Sequence, residues 1–195
     1  MEAFLAGMEQ ARANGHDLST IGSVASFFVS RVDTEADKRL DKIGTPEALA
    51  LRGKLAIANA KLAYEHYQQA FSGGRWEFLA GKGANTQRCL WASTSTKNPE
   101  YRDVLYVEEL IGPRTVNTMP AETMTDFQDH GDVRGDTVLD GWDEARKLFD
   151  QLAEVGVDYD DVVETLELEG VQKFADSFAE LMEGVKAKRG ELAAA

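Results

Sequence analysis

The chain has a single cysteine, a deficit of basic residues and no apolar run long enough to cross a membrane. Cys89 cannot form a disulfide within the chain, which indicates a reducing compartment, and its apolar neighbours are typical of a small core residue. The 195 residues include 34 acidic and 21 basic ones, and the net charge of −13 disfavours non-specific binding to nucleic acid or anionic lipid. With no signal-peptide pattern at Met1, we expect a cytoplasmic protein without nucleic-acid or membrane partners.

The sequence also has no metal or cofactor motif. No histidine lies at metal-ligand spacing from a second histidine or from the cysteine, so we expect no metal and no cofactor. The cluster Gly81-Lys82-Gly83 lacks the glycine-loop pattern that ends in Lys-Ser or Lys-Thr before a helix, and we interpret it as a connector. Without a repeat or a low-complexity linker, and with 43% hydrophobic residues, residues 1–195 are predicted to form one domain.

Apolar runs and helical periodicity alternate along the chain, which predicts a parallel sheet with helices outside it. The predicted strands are 21–30, 87–93 and 115–119. The predicted helices are 1–14, 33–44, 45–71, 103–110, 121–128, 142–155 and 171–188. Segment 75–84 is interpreted as a short apolar connector, segment 162–170 precedes a separate last helix, and residues 193–195 are expected to fray.

Two of the predicted strands end in hydroxyl groups and a cation. Residues 88–99 begin as an apolar run and end in a Ser/Thr-rich turn with Lys97 and a proline. Taken alone, such a turn is more typical of an ordinary loop than of an anion site. Residues 23–33 end in the same way, with Ser30 and Arg31. Two strand ends of this kind favour one shared anionic ligand, because hydroxyls and a cation suit a phosphate.

The sequences Trp-Ala-Ser-Thr-Ser-Thr-Lys-Asn-Pro at 91–99 and Gly-Pro-Arg-Thr-Val-Asn-Thr-Met-Pro at 112–120 resemble signatures of the transaldolases, in particular those of the longer bacterial type. The resemblance extends from near Met1 to about Leu181. It implies an α/β fold, the C-terminal portion of a (β/α)8 TIM barrel, with about three parallel strands, surrounding helices and a helical tail. Because five strands precede this part in the family, we expect that the N-terminal half of the barrel is missing.

The resemblance implies a transaldolase of the pentose phosphate pathway, which transfers a dihydroxyacetone unit between sugar phosphates through a lysine Schiff base. The implied substrates include fructose 6-phosphate, sedoheptulose 7-phosphate and erythrose 4-phosphate. In the family this lysine and the acid/base carboxylates lie on earlier strands, and no lysine here lies in a buried apolar strand. We therefore expect no catalytic residue in this chain, an isolated chain that is inactive, and a requirement for the missing half.

Four positions match the family's contacts to the substrate phosphate, and a fifth matches an aromatic residue that lines the pocket. Short family members carry an arginine two residues after the serine that follows strand seven, whereas this chain has Ser95 there. Lys97 is the candidate for the missing charge. The predicted phosphate-binding residues are Ser26, Arg31, Ser93 and Lys97, and the predicted pocket-lining residue is Phe28.

Two other interpretations stay open at this point. In the first, the chain is a non-catalytic fragment of such an enzyme, or a subunit that needs the missing half. In the second, it is an acidic helical interaction protein without sugar chemistry. The second interpretation predicts that replacing Arg31 by alanine leaves phosphate affinity unchanged.

Overall fold

The computed structural model describes residues 1–193, so the fraying expected at residues 194 and 195 lies outside the described residues. The chain forms two compact units, Met1–Val157 and Asp158–Ala195. Within the described range, the helices are all too short or too polar to cross a membrane.

The first unit is built on a three-stranded parallel sheet in the order β1-β2-β3. The strands are β1 (Ser23–Phe28), β2 (Gln87–Ala92) and β3 (Val116–Asn117). The predicted three parallel strands are confirmed, although β3 is shorter than the predicted 115–119. It is short because the Thr115 N–H donates to the Gly112 carbonyl in a turn at one end and Pro120 follows closely at the other.

Helices connect the strands and pack on one side of the sheet, as the alternating pattern predicted. Two 3₁₀ turns, Leu18–Thr20 and Thr137–Leu139, supplement them. The helices of this unit are α1 (Glu2–Ala13), α2 (Ser30–Ile43), α3 (Pro46–Leu49), α4 (Leu55–Ala70), α5 (Gly73–Ala80), α6 (Leu105–Glu109), α7 (Ala121–His130) and α8 (Trp142–Glu154).

One face of the sheet is covered and the other is open. On the covered face Trp91 is fully buried, its indole N–H donates to the Leu110 carbonyl at 3.0 Å, and Phe27 packs edge-on against it. Burial raises the pKa of the Cys89 thiol on the same face to about 11, which fits the predicted core role. On the open face Phe28 keeps 43% of its surface exposed. In a (β/α) barrel this face points into the barrel interior.

Two helix predictions need correction in this unit. The predicted helix 45–71 is two helices, because Gly53 between them has a φ of +70° and any Cβ there would lie 2.8 Å from the Tyr101 ring. The predicted connector 75–84 contains α5, whose Leu79 is fully buried in an apolar cluster with Leu5 and Met8 of α1. The burial of Leu79 stabilises this segment as a helix, although its apolar residues have only weak helical periodicity.

The second unit is one long helix, α9 (Tyr159–Ala193), of 35 residues. The prediction of a separate last helix beginning at residue 171 is wrong, because the helix continues through Gly170. A glycine in a helix interior costs only about 1 kcal/mol relative to alanine, which a helix of this length tolerates.

Candidate functional site

The junction of β1 and α2 places Arg31 differently from the sequence prediction. The predicted strand 21–30 ends earlier, at Phe28, and the predicted helix at residue 33 already begins at Ser30. Arg31 therefore lies in the first turn of α2. Two backbone hydrogen bonds extend the pairing of β1 with β2 past the end of the strands. The Val29 N–H donates to the Ala92 carbonyl at 2.9 Å, and the Ser30 N–H donates to the Ser93 carbonyl at 3.0 Å.

The Arg31 guanidinium lies over an aromatic ring instead of pairing with a carboxylate. Its central carbon is 4.6 Å from the centroid of the Phe28 ring, within cation–π range. Across residues 1–193 no ion pair involves Arg31. A cation at a helix N-terminus adds to the positive end of the helix dipole, so this position favours an anionic partner. Arg31 and Phe28 thus form the cationic and aromatic parts of one surface.

Ser93 is held in a left-handed conformation directly after β2. Its φ is +58°, a region that disfavours residues with a side chain, and its hydroxyl oxygen lies 2.8 Å from that of the buried Ser30. This turn brings Ser93 to the start of α2, next to the residue that precedes Arg31. The structure therefore brings two of the predicted phosphate contacts together at the carboxyl ends of neighbouring strands.

The loop after Ser93 is fastened to the third strand. Thr94 is fully buried, and its hydroxyl donates to the Asn117 side-chain oxygen at 2.7 Å. The Thr118 hydroxyl donates back to the Trp91 carbonyl at 3.2 Å. Asn117 and Thr118 thus hold the ends of β2 and β3 in a fixed relation.

Ser26 lies on the open face of β1, two residues before Phe28. Side chains two apart along a strand point to the same side, and the burial pattern of β1 places both on the exposed side. Ser26 aligns with Leu90 of β2, and its hydroxyl has no hydrogen bond to another described residue. Ser26 thus shares the open face on which the guanidinium of Arg31 rests.

Lys97 occupies a different place. Its amine donates to the Ser95 hydroxyl at 2.8 Å, and its side chain lines a cleft of about 370 Å³ with the acidic face of α2, including Asp33 and Asp37. It also lines a second cleft with Arg102. Among the described residues 1–193, Ser26, Arg31 and Ser93 line neither of these two clefts. The structure therefore groups three of the four predicted phosphate contacts and sets Lys97 beside acidic side chains.

Sequence reasoning missed the role of Asp33, which fixes α2 in place. One carboxylate oxygen accepts from the Ala56 N–H and the other from the Tyr106 hydroxyl, both at 2.7 Å. Because the carboxyl group is buried, its pKa is raised from 3.8 to about 6, although these hydrogen bonds oppose the shift. The start of α2, where Arg31 lies, is thereby anchored to the start of α4.

Asp37, one turn later, repeats this arrangement. It accepts from the Gly53 N–H at 2.9 Å and from the Tyr101 hydroxyl at 2.6 Å. The sequence carries a signal for this pair, since Asp33 and Asp37 lie on the same helical stripe as the buried Val32. Acidic residues on an apolar stripe indicate carboxylates with buried partners.

The remaining titratable groups do not form a metal site. Among the described residues, no cluster of three or more histidine, cysteine or acidic side chains is arranged to hold a metal ion.

His130, predicted to begin a polar loop, is instead the last residue of α7, and its ring nitrogen lies 2.9 Å from Asp103. Hydrogen bonds to Asp103 and then Asp129 raise the pKa of His130.

Parallel strands joined by helices, with hydroxyl groups and Arg31 at their carboxyl ends, define part of a (β/α) barrel. The family model described as Transaldolase/Fructose-6-phosphate aldolase matches residues 4–185. The chain belongs to this family, which confirms the resemblance found in its sequence.

Curated relatives of the chain are named transaldolase. The chain is 61% identical to the transaldolase of Frankia alni over 182 residues, which cover 93% of this chain and 49% of the relative. It is 60% identical to that of Mycolicibacterium paratuberculosis over 191 residues, which cover 97% and 51%. It is also 60% identical to that of Thermobifida fusca over 185 residues, which cover 95% and 50%. The chain thus spans about half the length of the curated relatives it matches.

Proposed function

We propose that this chain supplies the phosphate-binding part of a transaldolase active site, in which Arg31, Ser26 and Ser93 contact the phosphate of a sugar phosphate. The observation that carries the proposal is the environment of the Arg31 side chain. Its guanidinium is stacked on Phe28, exposed, and without a carboxylate among the described residues. The planar fork of an arginine binds two phosphate oxygens at once, which makes it a strong phosphate ligand.

The surroundings of Arg31 supply further donors for an anion. The N-terminus of α2 directs the positive end of its dipole towards this edge. The Ser93 hydroxyl lies at the same edge, 2.8 Å from the hydroxyl of Ser30 at the start of this helix. Hydroxyl and backbone donors next to an arginine suit the three terminal oxygens of a phosphate monoester.

Asp33, two residues after Arg31, is a buried carboxylate whose hydrogen-bond partners lie inside the core. Both oxygens of Asp33 accept hydrogen bonds from groups in the core, so they face away from the solvent. Its raised pKa of about 6 also means that the group is partly protonated in mildly acidic solution.

Substrate and pathway follow from the family. We propose sugar phosphates such as fructose 6-phosphate, sedoheptulose 7-phosphate and erythrose 4-phosphate as ligands, in the cytoplasm. The lysines of this chain lie on helices or in loops, away from the interior positions of the strands. The Schiff-base lysine would therefore come from a polypeptide that supplies the remaining strands and covers the open face around Phe28.

A binding experiment tests the proposal. We expect the chain to bind fructose 6-phosphate but not fructose in calorimetric titrations, and Arg31→Ala to weaken binding by about 10- to 100-fold, the value of a charge-assisted bond. Arg88→Ala is the matched control, because Arg88 is also exposed but lies near the opposite end of β2. Equal affinity of the Arg31→Ala variant and the parent chain would instead support an acidic interaction protein without a phosphate site.

A further inference from the structure

Ser30, the first residue of α2, is a buried serine beside the proposed phosphate contacts. It is 1% exposed, although Arg31, the next residue along the chain, is exposed. Its N–H donates to the Ser93 carbonyl at 3.0 Å, and its hydroxyl oxygen lies 2.8 Å from the Ser93 hydroxyl oxygen. Two contacts with one residue 63 positions further along the chain therefore fix Ser30 against Ser93.

Burial decides which of the two hydroxyl groups donates in this hydrogen bond. A serine hydroxyl has one proton to donate. Among residues 1–193, Ser93 is the one hydrogen-bond partner of the Ser30 hydroxyl. If Ser30 did not donate to Ser93, its proton would be buried without an acceptor, which is costly. Ser30 is therefore the donor, and the Ser93 oxygen is the acceptor.

This direction leaves the proton of Ser93 available to a ligand. Ser93 is only partly buried, and within the described part of the chain its hydroxyl has no hydrogen-bond partner besides Ser30. A free O–H donor beside the N-terminus of α2 and the Arg31 guanidinium lies in a positive environment, which favours an anion as its acceptor.

The other hydroxyl groups at this junction do not share this arrangement. The Thr94 hydroxyl donates to the Asn117 side-chain oxygen at 2.7 Å, and the Thr34 hydroxyl donates to the Ser30 carbonyl at 2.9 Å. Both of these protons have acceptors within the fold. Ser93 differs because Ser30 supplies the proton of the bond that the two serines share.

The backbone of Ser93 is held by the same neighbour. Its φ of +58° is a left-handed conformation that disfavours a residue with a side chain. The hydrogen bond from the Ser30 N–H to its carbonyl stabilises this turn. Strained residues that their surroundings hold in place are often found where a ligand binds. Ser30 thus restrains both the backbone and the hydroxyl of Ser93.

We propose that Ser30 is a positioning residue of the phosphate site, whose buried hydroxyl donates to Ser93 so that Ser93 donates its own proton to a phosphate oxygen. This inference rests on the proposed function and deepens it, since Ser30 acts on the ligand only through Ser93. When Ser93 donates to an anion, its oxygen becomes a better acceptor for Ser30, so the two hydrogen bonds strengthen each other.

Calorimetric titration of the full chain with fructose 6-phosphate tests this coupling. Ser30→Ala should weaken binding by about 3- to 10-fold, the value of one neutral hydrogen bond, and Ser30→Thr, which keeps the hydroxyl, should retain most of the affinity. Thr34→Ala is the matched control, because it removes another hydroxyl of α2 that does not contact Ser93, and it should leave the affinity unchanged.

A double-mutant cycle separates positioning from a structural effect. In a Ser93→Ala chain, Ser30→Ala should weaken binding no further, because the residue through which Ser30 acts is already changed. Losses that add in the double variant, or full affinity of the Ser30→Ala variant, would overturn the proposal.

Urea unfolding tests the direction of the hydrogen bond without a ligand. Ser93→Ala leaves the buried Ser30 proton without its acceptor, whereas Ser30→Ala leaves a partly exposed Ser93 that can bond to water. Because alanine keeps a Cβ, the backbone strain at residue 93 does not change. Ser93→Ala should therefore raise the unfolding equilibrium constant by roughly 10-fold more than Ser30→Ala does. Equal effects, or a larger effect of Ser30→Ala, would overturn the assigned direction.

Failure of this inference is distinguishable from failure of the proposed function. Fructose 6-phosphate binding that Arg31→Ala weakens and Ser30→Ala does not would overturn the role of Ser30 alone. A parent chain that does not bind fructose 6-phosphate would overturn both the proposed function and the role of Ser30.

Discussion

The buried Asp33 carboxylate makes the stability of the fold depend on pH in an unusual direction. Its pKa rises from 3.8 to about 6 because burial disfavours the charged form. The unfolded chain therefore releases this proton at lower pH than the folded chain. The contribution of Asp33 is fully favourable below the unfolded pKa and is lost as pH rises through about 6.

The size of this effect follows from the shift. A rise from 3.8 to about 6 corresponds to about 3 kcal/mol of stability lost between acidic and neutral pH. Asp33→Asn removes the ionisation with little change in size. Its side-chain oxygen can still accept from the Ala56 N–H, and its amide can donate to the Tyr106 hydroxyl. We expect the stability of the variant relative to the parent chain to rise by about 2 kcal/mol from pH 4 to pH 7, because part of the full effect is already lost at pH 4.

Urea unfolding followed by circular dichroism, at several pH values for both chains, measures this difference. Asp17→Asn provides a control of opposite sign, because hydrogen bonds from Ser19 lower the pKa of Asp17. Asp17 stabilises the fold above its unfolded pKa, so its removal should matter more at neutral than at acidic pH. A difference between Asp33→Asn and the parent chain that does not change with pH would refute the reasoning about Asp33.

Three further predictions concern the backbone and the chemistry. Ser93→Gly should be more stable than Ser93→Ala by about 1 kcal/mol in urea unfolding, since both lose the hydroxyl but only glycine relieves the φ of +58°. Gly53→Ala should destabilise by about 1–3 kcal/mol more than Gly15→Ala, because both have positive φ but only the Cβ at Gly53 meets the Tyr101 ring; equal losses would contradict this contact. Borohydride added with fructose 6-phosphate should give no adduct mass on the isolated chain, and a trapped lysine would show that it carries its own Schiff-base residue.

The sequence predicted the sheet well because its strands are short apolar runs that end in polar turns. The pattern at residues 87–93 ends where the Ser93 turn begins, and the structure agrees within one residue. The pattern at residues 21–30 contained no boundary after Phe28, since Val29 is apolar and fits a strand as readily as a helix start. The helix begins there because the Ser93 carbonyl accepts a hydrogen bond from the Ser30 N–H, a contact between residues far apart in the chain.

Other features depend on contacts that local patterns cannot encode. The Tyr101 ring leaves no room for a side chain at Gly53, where the helix breaks, and the anchoring of α2 comes from Asp33 and its distant partners. The position of Lys97 beside the acidic face of α2 likewise follows from the path of its loop. Family resemblance identified Ser26, Arg31 and Ser93 as candidates, and the fold brings them to one side of the sheet.

The most direct test of a phosphate site at this edge is a crystal structure of the chain with fructose 6-phosphate. The account predicts the phosphate within hydrogen-bonding distance of the Arg31 guanidinium and the Ser93 hydroxyl, at the carboxyl ends of β1 and β2. A phosphate bound instead between Arg88 and Arg114, near the opposite ends of the strands, would contradict it.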